Sequence, residues 1–257
     1  MNNPIKQKLI NGEQTLGAFI GIYSPSIVEM LGYAGFEFIV IDDEHGTFNH
    51  SELENMIRAA ECVGMVPFVR VSYDSSSIQK ALDRGAKGIH VPMVNTKEDA
   101  EQIIRKAKFP PVGQRGAAFS TRAARFGKET GEKYLNDSDR DTLIVVHIET
   151  QEAVDNFEDI MSVEGIDVAF LGPTDLSVNL GFPNEGANHP EIQRIANDLY
   201  QKGKNMGIPI GTIAPNADVA RNEFNKGANY IGVVATAVIS NSFSKVVGDV
   251  RETNLSK

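Results

Sequence analysis

Short apolar runs recur along the chain, and polar stretches with helical periodicity lie between them. Eight of these runs are four to eight residues long and rich in Val, Ile and Phe, and several are apolar at every position. That composition is typical of parallel strands that are buried on both faces. The predicted strands span residues 15–22, 38–41, 66–71, 88–91, 143–148, 168–171, 208–213 and 230–234.

Glycines and capping residues mark the ends of the predicted helices. A glycine shortly before a strand is typical of a helix that ends in the left-handed conformation, and a Ser or Thr three positions before an acidic residue is typical of a capped helix start. The glycines are Gly35, Gly85, Gly165 and Gly227, and the predicted caps are Ser26, Ser51 and Thr96. Eight strand-then-helix units predict an α/β fold, a single (β/α)8 TIM barrel. A single doubly wound sheet is the alternative, but that fold does not require the eighth strand that the sequence predicts.

Composition restricts the class of protein. At 257 residues the chain is expected to form one barrel domain over residues 1–257, because such barrels commonly have about 250 residues. A net charge of −9 argues against a nucleic-acid partner. Cys62, the only cysteine, cannot form an intrachain disulfide, and the first residues contain no apolar signal core. No run of about 18 apolar residues predicts a membrane span, so we expect a cytoplasmic location.

Polar and charged residues follow several of the predicted strands. Enzymes with this fold build their active sites at the carboxyl ends of the strands, so residues at those positions are candidates for chemistry. A structural protein has no reason to concentrate charges there, since each must be paired or desolvated. The candidates are Asp42, Asp43, Glu44, His45, Arg70, His147, Glu149 and Asp175.

Glu149 and Asp175 are one strand–helix unit apart, so they come from neighbouring strand ends. Two carboxylates suit a hard divalent cation such as Mg²⁺ or Mn²⁺, which keeps positions for water and substrate. The alternative is that both residues cap helices. His147 is two residues before Glu149 on a strand and shares its face. It is a candidate third metal ligand or substrate hydrogen-bond donor, or else a buried core histidine.

Asp42 and His45 are three residues apart in a loop, close enough for the carboxylate to orient the imidazole. Such a pair suits general acid–base catalysis. An exposed acidic turn is the alternative. Arg70 ends a strand and suits a bidentate clamp for a substrate carboxylate, or an ion pair with Asp42 or Glu44.

The residue types missing from the strand ends also restrict the chemistry. No lysine stands at the carboxyl end of a predicted strand, which argues against Schiff-base catalysis. The sequence contains no Gly-x-Ser-x-Gly elbow, dinucleotide fingerprint or Walker loop.

Six segments of the sequence form a recognisable set. They lie at residues 41–45 (IDDEH), 67–70 (PFVR), 90–94 (HVPMV), 113–116 (GQRG), 148–150 (IET) and 171–177 (LGPTDLS). Taken together, these segments resemble the HpcH/HpaI family of metal-dependent class II pyruvate aldolases, and the resemblance runs from about residue 15 to residue 247. Members act on compounds such as 2,4-dihydroxyhept-2-ene-1,7-dioate and 2-keto-3-deoxy sugar acids.

The resemblance implies a role for each matching position. It implies a divalent cation (Mg²⁺, Mn²⁺ or Co²⁺) and a barrel of the phosphoenolpyruvate/pyruvate-binding type. Glu149 and Asp175 match the metal ligands, Arg70 the anchor of the pyruvate carboxylate, His45 with Asp42 the acid–base dyad, and Gly172, Pro173 and Thr174 the wall against which pyruvate lies. Family members are usually hexamers, trimers of dimers with exchanged C-terminal helices, so we expect the C-terminal helix at a subunit interface.

Two positions depart from the family pattern. His147 stands where the family is expected to carry a Gln that hydrogen-bonds pyruvate, and Phe19 stands where some relatives carry Trp. These departures affect the contact to the keto acid and the aldehyde pocket.

The predicted function is that of a carbon–carbon lyase. It is the reversible aldol cleavage of a 4-hydroxy-2-keto acid to pyruvate and an aldehyde, by a homo-oligomer with small-molecule substrates only. The alternatives are a related CoA-thioester lyase of the malyl- or citramalyl-CoA type and a non-catalytic metabolite-binding barrel.

Overall fold

The computed structural model describes residues 3–255, and its strands form a closed parallel barrel in the order β1 to β8. The predicted (β/α)8 barrel is therefore confirmed, and the doubly wound sheet is wrong. Four predicted strands have the observed bounds, and the other four differ by one or two residues at one end or at both ends. The strands are β1 Thr15–Ile20, β2 Phe38–Asp42, β3 Val66–Arg70, β4 Gly88–Val91, β5 Leu143–Ile148, β6 Val168–Leu171, β7 Ile210–Ala214 and β8 Tyr230–Val234.

One helix precedes the first strand, and the other helices follow strands and cover the outside of the barrel. The helices are α1 Pro4–Ile10, α2 Pro25–Tyr33, α3 His50–Cys62, α4 Ser77–Asp83, α5 Lys97–Ala107, α6 Gly131–Asp141, α7 Gln151–Asp155, α8 Phe157–Met161, α9 Pro173–Asn179, α10 Pro190–Met206, α11 Ala217–Lys226 and α12 Ala235–Leu255. Short 3₁₀ turns occur at Arg125–Gly127 and Gly186–Asn188. Among the described residues, none of the helices has the length and apolar character needed to cross a membrane.

The helix ends follow the glycine pattern more closely than the capping pattern. The four predicted glycines all have positive φ, between 98° and 123°. Thr96 caps α5 in a capping box with Asp99, as predicted. The other two predicted caps are wrong: Ser24 caps α2 and Asn49 caps α3. Each true cap lies two residues earlier than the predicted one.

Side chains along each strand alternate between two apolar layers. One set of side chains packs outward against the helices, and the other fills the barrel interior with aromatic and branched residues. Ile5 and Leu9 of α1 belong to the interior layer and close the bottom of the barrel. Glycine makes room for interior rings: a Cβ on Gly17 would stand 2.2 Å from the Phe38 ring. Polar side chains of the same inward parity lie above this core.

Candidate active site

Strand parity brings the predicted polar residues to one end of the barrel. Asp42 and Arg70 are the last residues of β2 and β3, and they are paired in the sheet register. Glu149 and Gly172 directly follow β5 and β6, whose last residues are also paired. Parallel strands end at the same rim, so these positions are neighbours around the carboxyl end of the barrel.

Arg70 forms a network of ion pairs with two carboxylates. Its Nε donates to Asp42 Oδ1 at 2.8 Å and its Nη2 donates to Asp42 Oδ2 at 2.7 Å, a bidentate pair. Its Nη1 lies 3.1 Å from Glu44 Oε2. The predicted ion pairs of Arg70 with Asp42 and Glu44 are therefore both present in the structure. They do not use up the guanidinium, because one hydrogen on Nη1 and one on Nη2 remain.

The His45 imidazole lies apart from Asp42, in contrast to the expected pairing. Asp42 Oδ1 accepts a hydrogen bond from the backbone N–H of His45 at 3.3 Å, but the His45 side chain is 65% exposed. The nearest carboxylate to its Nε2 is Glu44, at 3.8 Å. The reason is competition, since the Arg70 fork already holds both oxygens of Asp42. The two residues of the predicted dyad are joined through the backbone only.

Glu149 is a buried carboxylate with defined partners. It is 3% exposed, and its Oε1 accepts the backbone N–H of Met93 at 2.7 Å. Met93 has a positive φ of 56°, which non-glycine residues rarely adopt. Burial acts to raise the pKa of Glu149, but His147, the Met93 N–H and the charge of Arg70 together hold the pKa below its usual value. Glu149 is therefore ionised at neutral pH.

Gly172 and the start of α9 lie against Glu149. A Cβ on Gly172 would stand 2.6 Å from Glu149 Oε2, so any larger residue at this position would displace the carboxylate. Pro173 is the first residue of α9, and Thr174 and Asp175 in its first turn are exposed. An acidic side chain is favoured at this end of a helix.

Neither predicted metal ligand acts as a helix cap. Thr150, not Glu149, caps α7, through the N–H of Ala153. No side chain caps the start of α9, where Gly172 is the capping residue. The alternative interpretation of Glu149 and Asp175 as caps is wrong. Within residues 3–255, no group of three or more His, Cys, Asp or Glu side chains is arranged to hold a metal ion.

The pKa of Tyr73 is affected by three carboxylates. Its Oη donates to Glu44 Oε1 at 3.0 Å. Burial, the hydrogen bond to Glu44 and the negative charges of Glu44, Glu149 and Asp175 raise the pKa of Tyr73 to about 12. The three carboxylates therefore act on one point of the rim.

His147 lies inside the barrel with Glu149 above it. It is 1% exposed, and its Nδ1 is 3.4 Å from Glu149 Oε2. Its Nε2 is 3.1 Å from Nδ1 of a second buried histidine, His90. The prediction that His147 shares a face with Glu149 is confirmed.

Sequence reasoning did not assign a role to several residues of this region. The inward direction of His90 could have been predicted, because it lies two residues after Gly88 in β4 and therefore on the same face of the strand. Met93 had none, because its positive φ cannot be deduced from an ordinary side chain. Tyr73 stands in a loop, where periodicity does not predict side-chain direction.

Comparisons with known proteins find relatives that match over nearly the whole barrel. The model of the HpcH/HpaI aldolase/citrate lyase family matches residues 15–239. The 2-keto-3-deoxy-L-rhamnonate aldolase of Escherichia coli (strain K12) is 34% identical over 235 residues, 91% of this chain and 87% of the relative. The crystal structure of a family member from Burkholderia cenocepacia J2315 has a TM-score of 0.91 at 29% identity, covering 97% of this chain and 100% of that chain. An HpcH/HpaI aldolase from Desulfitobacterium hafniense DCB-2 has a TM-score of 0.88 at 26% identity, covering 96% of each chain.

These comparisons confirm the predicted resemblance and the predicted class of enzyme. The relatives are named as aldolases, and this chain is accordingly a carbon–carbon lyase of the aldolase type. The match extends over most of the barrel, from β1 to the beginning of α12. The chain belongs to the HpcH/HpaI aldolase/citrate lyase family.

Proposed function

We propose that this enzyme cleaves a 4-hydroxy-2-keto acid reversibly to pyruvate and an aldehyde, with a bound divalent cation. One observation carries the proposal. A buried, ionised carboxylate, Glu149, lies against Gly172 at the rim that also holds Arg70. This arrangement provides negative charge for a cation and positive charge for the carboxylate of a keto acid within one site.

Glu149 and Asp175 are the residues that would hold the cation, Mg²⁺, Mn²⁺ or Co²⁺. Their oxygen donors suit a hard ion, and Gly172, which has no side chain, lets Glu149 Oε2 lie directly beside the start of α9, which carries Asp175. Two protein carboxylates leave positions for water and for substrate. When bound, the cation supplies positive charge next to the carboxylate and keto oxygens of the substrate and so stabilises the charge that develops during cleavage.

Arg70 binds the substrate carboxylate through the N–H groups that its ion pairs leave free. Asp42 and Glu44 hold the guanidinium in place, so it is oriented before the substrate arrives. Pre-oriented donors lose less entropy on binding than a free side chain would. Gly172, Pro173 and Thr174 form the wall beside the keto acid.

His45 moves the proton of the 4-hydroxyl group. Its ring is exposed at the rim, where it can reach a substrate, and its backbone is fixed to Asp42. Asp42 thus positions the loop that carries the base. In the cleavage direction the imidazole accepts the hydroxyl proton, and in the condensation direction it returns it.

A 2-keto-3-deoxy sugar acid is the substrate class that we favour. The relative at 34% identity is named for 2-keto-3-deoxy-L-rhamnonate. Phe19 of β1 is almost fully buried, and its ring lies 5.8 Å from the Arg70 guanidinium carbon. We assign the discrimination between aldehydes to the region around this ring.

We further propose that the enzyme is a cytoplasmic homo-oligomer, a hexamer built as a trimer of dimers, with one barrel domain of the phosphoenolpyruvate/pyruvate-binding type per chain. Helix α12 supports an interface: Phe243, Val246 and Val247 share one face of it and are 69%, 62% and 47% exposed. Cys62 is a free, exposed cysteine, which suits a reducing compartment.

Exchange of the pyruvate methyl protons tests the function. The enzyme is incubated with pyruvate in heavy water, with and without Mn²⁺, and deuteration at C3 is followed by proton NMR. We expect exchange that requires the metal, together with release of pyruvate from a panel of 4-hydroxy-2-keto acids. A protein that binds pyruvate without exchange or cleavage would be a metabolite-binding barrel and would overturn the proposal.

A further inference from the structure

Four buried polar side chains form one continuous row inside the barrel. Tyr230 Oη lies 2.9 Å from His90 Nε2, and His90 Nδ1 lies 3.1 Å from His147 Nε2. His147 Nδ1 in turn lies 3.4 Å from Glu149 Oε2. None of the four residues is more than 3% exposed. The row therefore connects the core of the barrel with the carboxylate at the rim.

Aromatic rings form the walls of this row. The rings of Phe19 and Phe170 pack edge-on against His90, each at 5.4 Å between centroids, and Phe170 also stacks on His147 at 4.8 Å. Burial lowers the pKa of His90 well below its usual value. Burial also raises the pKa of Tyr230 well above its usual value. His90 is therefore neutral, and Tyr230 keeps its proton.

The hydrogen-bond roles of neutral His90 give the row a direction. Its ring carries one N–H and one lone pair, so the role of one nitrogen fixes the role of the other. In the first arrangement Tyr230 donates to His90 Nε2, and His90 Nδ1–H donates to His147 Nε2, so the N–H of His147 is on Nδ1. In the second arrangement both hydrogen bonds run the other way.

The Tyr230 end of the row favours the first arrangement. The second would leave the Tyr230 hydroxyl proton without an acceptor, because no polar group in the described part of the chain other than His90 contacts this hydroxyl. The first arrangement gives the hydroxyl an acceptor and makes His147 Nε2 the acceptor of the His90 N–H, so His147 keeps its proton on Nδ1.

We propose that His90 and Tyr230 are positioning residues that fix the tautomer of His147, so that its Nδ1–H faces the substrate. Within the described residues, His147 Nδ1 is buried and has no hydrogen-bond partner, because its contact with Glu149 lacks hydrogen-bond geometry. On the proposed function, this N–H donates to an oxygen of a 2-keto acid that binds beside Glu149. A protonated Nδ1 has no lone pair for a cation, so His147 is a substrate donor and not a third metal ligand.

Neutron diffraction on the perdeuterated wild-type protein, without substrate, tests the tautomer directly. We expect deuterons on Nδ1 of both histidines and on Tyr230 Oη, with the last directed at His90 Nε2. A deuteron on His147 Nε2 would overturn the proposal. The role of the N–H toward a keto acid rests on the proposed function, but this measurement does not depend on activity, so the two can fail separately.

A double-mutant cycle tests the coupling in solution. Tyr230→Phe removes only the hydroxyl group, and we expect it to raise KM for the keto acid about fivefold, with a smaller change in kcat. In the His147→Gln background the same change should have little effect on KM, because the donor hydrogens of an amide cannot move to another atom. A purely structural role of Tyr230 would give equal effects in both backgrounds, and that result would overturn the proposal.

Two controls accompany the cycle. Tyr134→Phe removes the hydroxyl group of another buried tyrosine, which packs between Phe109 and Phe119 outside the barrel interior. We expect it to leave KM unchanged in both backgrounds. Thermal unfolding of each variant shows whether a change in KM accompanies a loss of folded protein, and the neutron experiment on the wild type remains decisive if Tyr230→Phe does not fold.

Discussion

The guanidinium of Arg70 holds the carboxylate of Asp42 through two parallel hydrogen bonds, of 2.8 and 2.7 Å, across neighbouring strands. The two residues are directly paired in the sheet register, so the barrel itself fixes their separation. The remaining contact of Arg70, with Glu44, fixes the third side of the guanidinium. The orientation of the positive charge at the rim is therefore built into β2, β3 and the loop after β2.

We predict that Arg70→Lys lowers kcat/KM about 100-fold while the protein remains folded. Lysine keeps the charge but has a single nitrogen, which cannot bind both oxygens of Asp42 and still meet a substrate carboxylate. A hydrogen bond to a charged group contributes up to about 3 kcal/mol, which sets this magnitude. Steady-state kinetics and thermal unfolding are the measurements.

A matched control for this variant is Arg58→Lys. Arg58 also pairs with a carboxylate, Glu54, but on the exposed surface of α3. This change should leave the kinetics as they are in the wild type. If Arg70→Lys had the same small effect as Arg58→Lys, the role of Arg70 would be limited to stabilising the rim.

We predict that removal of divalent cations abolishes turnover, and that borohydride with pyruvate traps no covalent adduct. In the described structure, lysine neither ends any of the eight strands nor directly follows one, so no amine is placed for a Schiff base. Activity after chelation and the mass of the protein after borohydride treatment check both parts. Glu149→Gln should weaken Mn²⁺ binding in calorimetry, whereas Glu158→Gln on the exposed surface of α8 should not. A trapped adduct would contradict the class II assignment.

Much of the barrel was predictable because its strands are buried on both faces. Continuous apolar runs locate such strands without reference to a partner. The prediction for β7 fails at the start, since Ile208 and Pro209 precede the first paired residue, Ile210. Pro209 has no N–H to donate, although its carbonyl accepts from Ala169. Periodicity cannot resolve such local hydrogen bonding.

Helix caps were less predictable because several polar residues compete for one position. Ser24 precedes Pro25, and proline favours the first helical position, which makes Ser24 the better cap than Ser26. Asn49 forms a capping box with Glu52, and this box displaces the predicted start at Ser51. Local sequence contains both signals, and the flanking proline or amide decides between them.

In the candidate site, too, some side-chain directions could be predicted from the sequence and others could not. Strand parity predicts that Arg70, His147 and Glu149 face inward, and they do. The direction of the His45 ring was not predictable, since it depends on Arg70 occupying both oxygens of Asp42. Contacts between distant segments decide these orientations, and no local pattern contains them.

We predict that Phe243→Asp lowers the oligomeric state in solution. The side chain is 69% exposed on α12, beside Val246 and Val247, and a charge there would be buried unpaired in an interface. Light scattering coupled to size exclusion measures the mass. Met30→Asp changes an equally exposed apolar residue on α2 and serves as the control. An unchanged mass for Phe243→Asp would exclude this face of α12 from the interface.

Lys108 is a buried ammonium group outside the site. It is 6% exposed, at the end of α5, and its Nζ donates to the carbonyl of Asp139. Burial, reinforced by the positive charge of Lys6, lowers the pKa of Lys108 to about 8. Below pH 8 the folded and unfolded chains both carry this proton, and the folded state is penalised for burying the charge.

We predict that this penalty disappears as the pH rises from 8 to about 10.5, the usual pKa of lysine. In that window the folded chain has released the proton and the unfolded chain still holds it, so the free energy of unfolding increases with pH. The full difference is on the order of 3 kcal/mol. Urea unfolding at pH 7.5 and 10.5 gives the free energy of unfolding of the wild type and of Lys108→Met. The stability of the variant relative to the wild type should be lower at pH 10.5 than at pH 7.5. Lys106→Met, an exposed neighbour on α5, should differ from the wild type equally at both pH values. A difference for Lys108→Met that does not depend on pH would mean that the ammonium group is solvated in the folded protein.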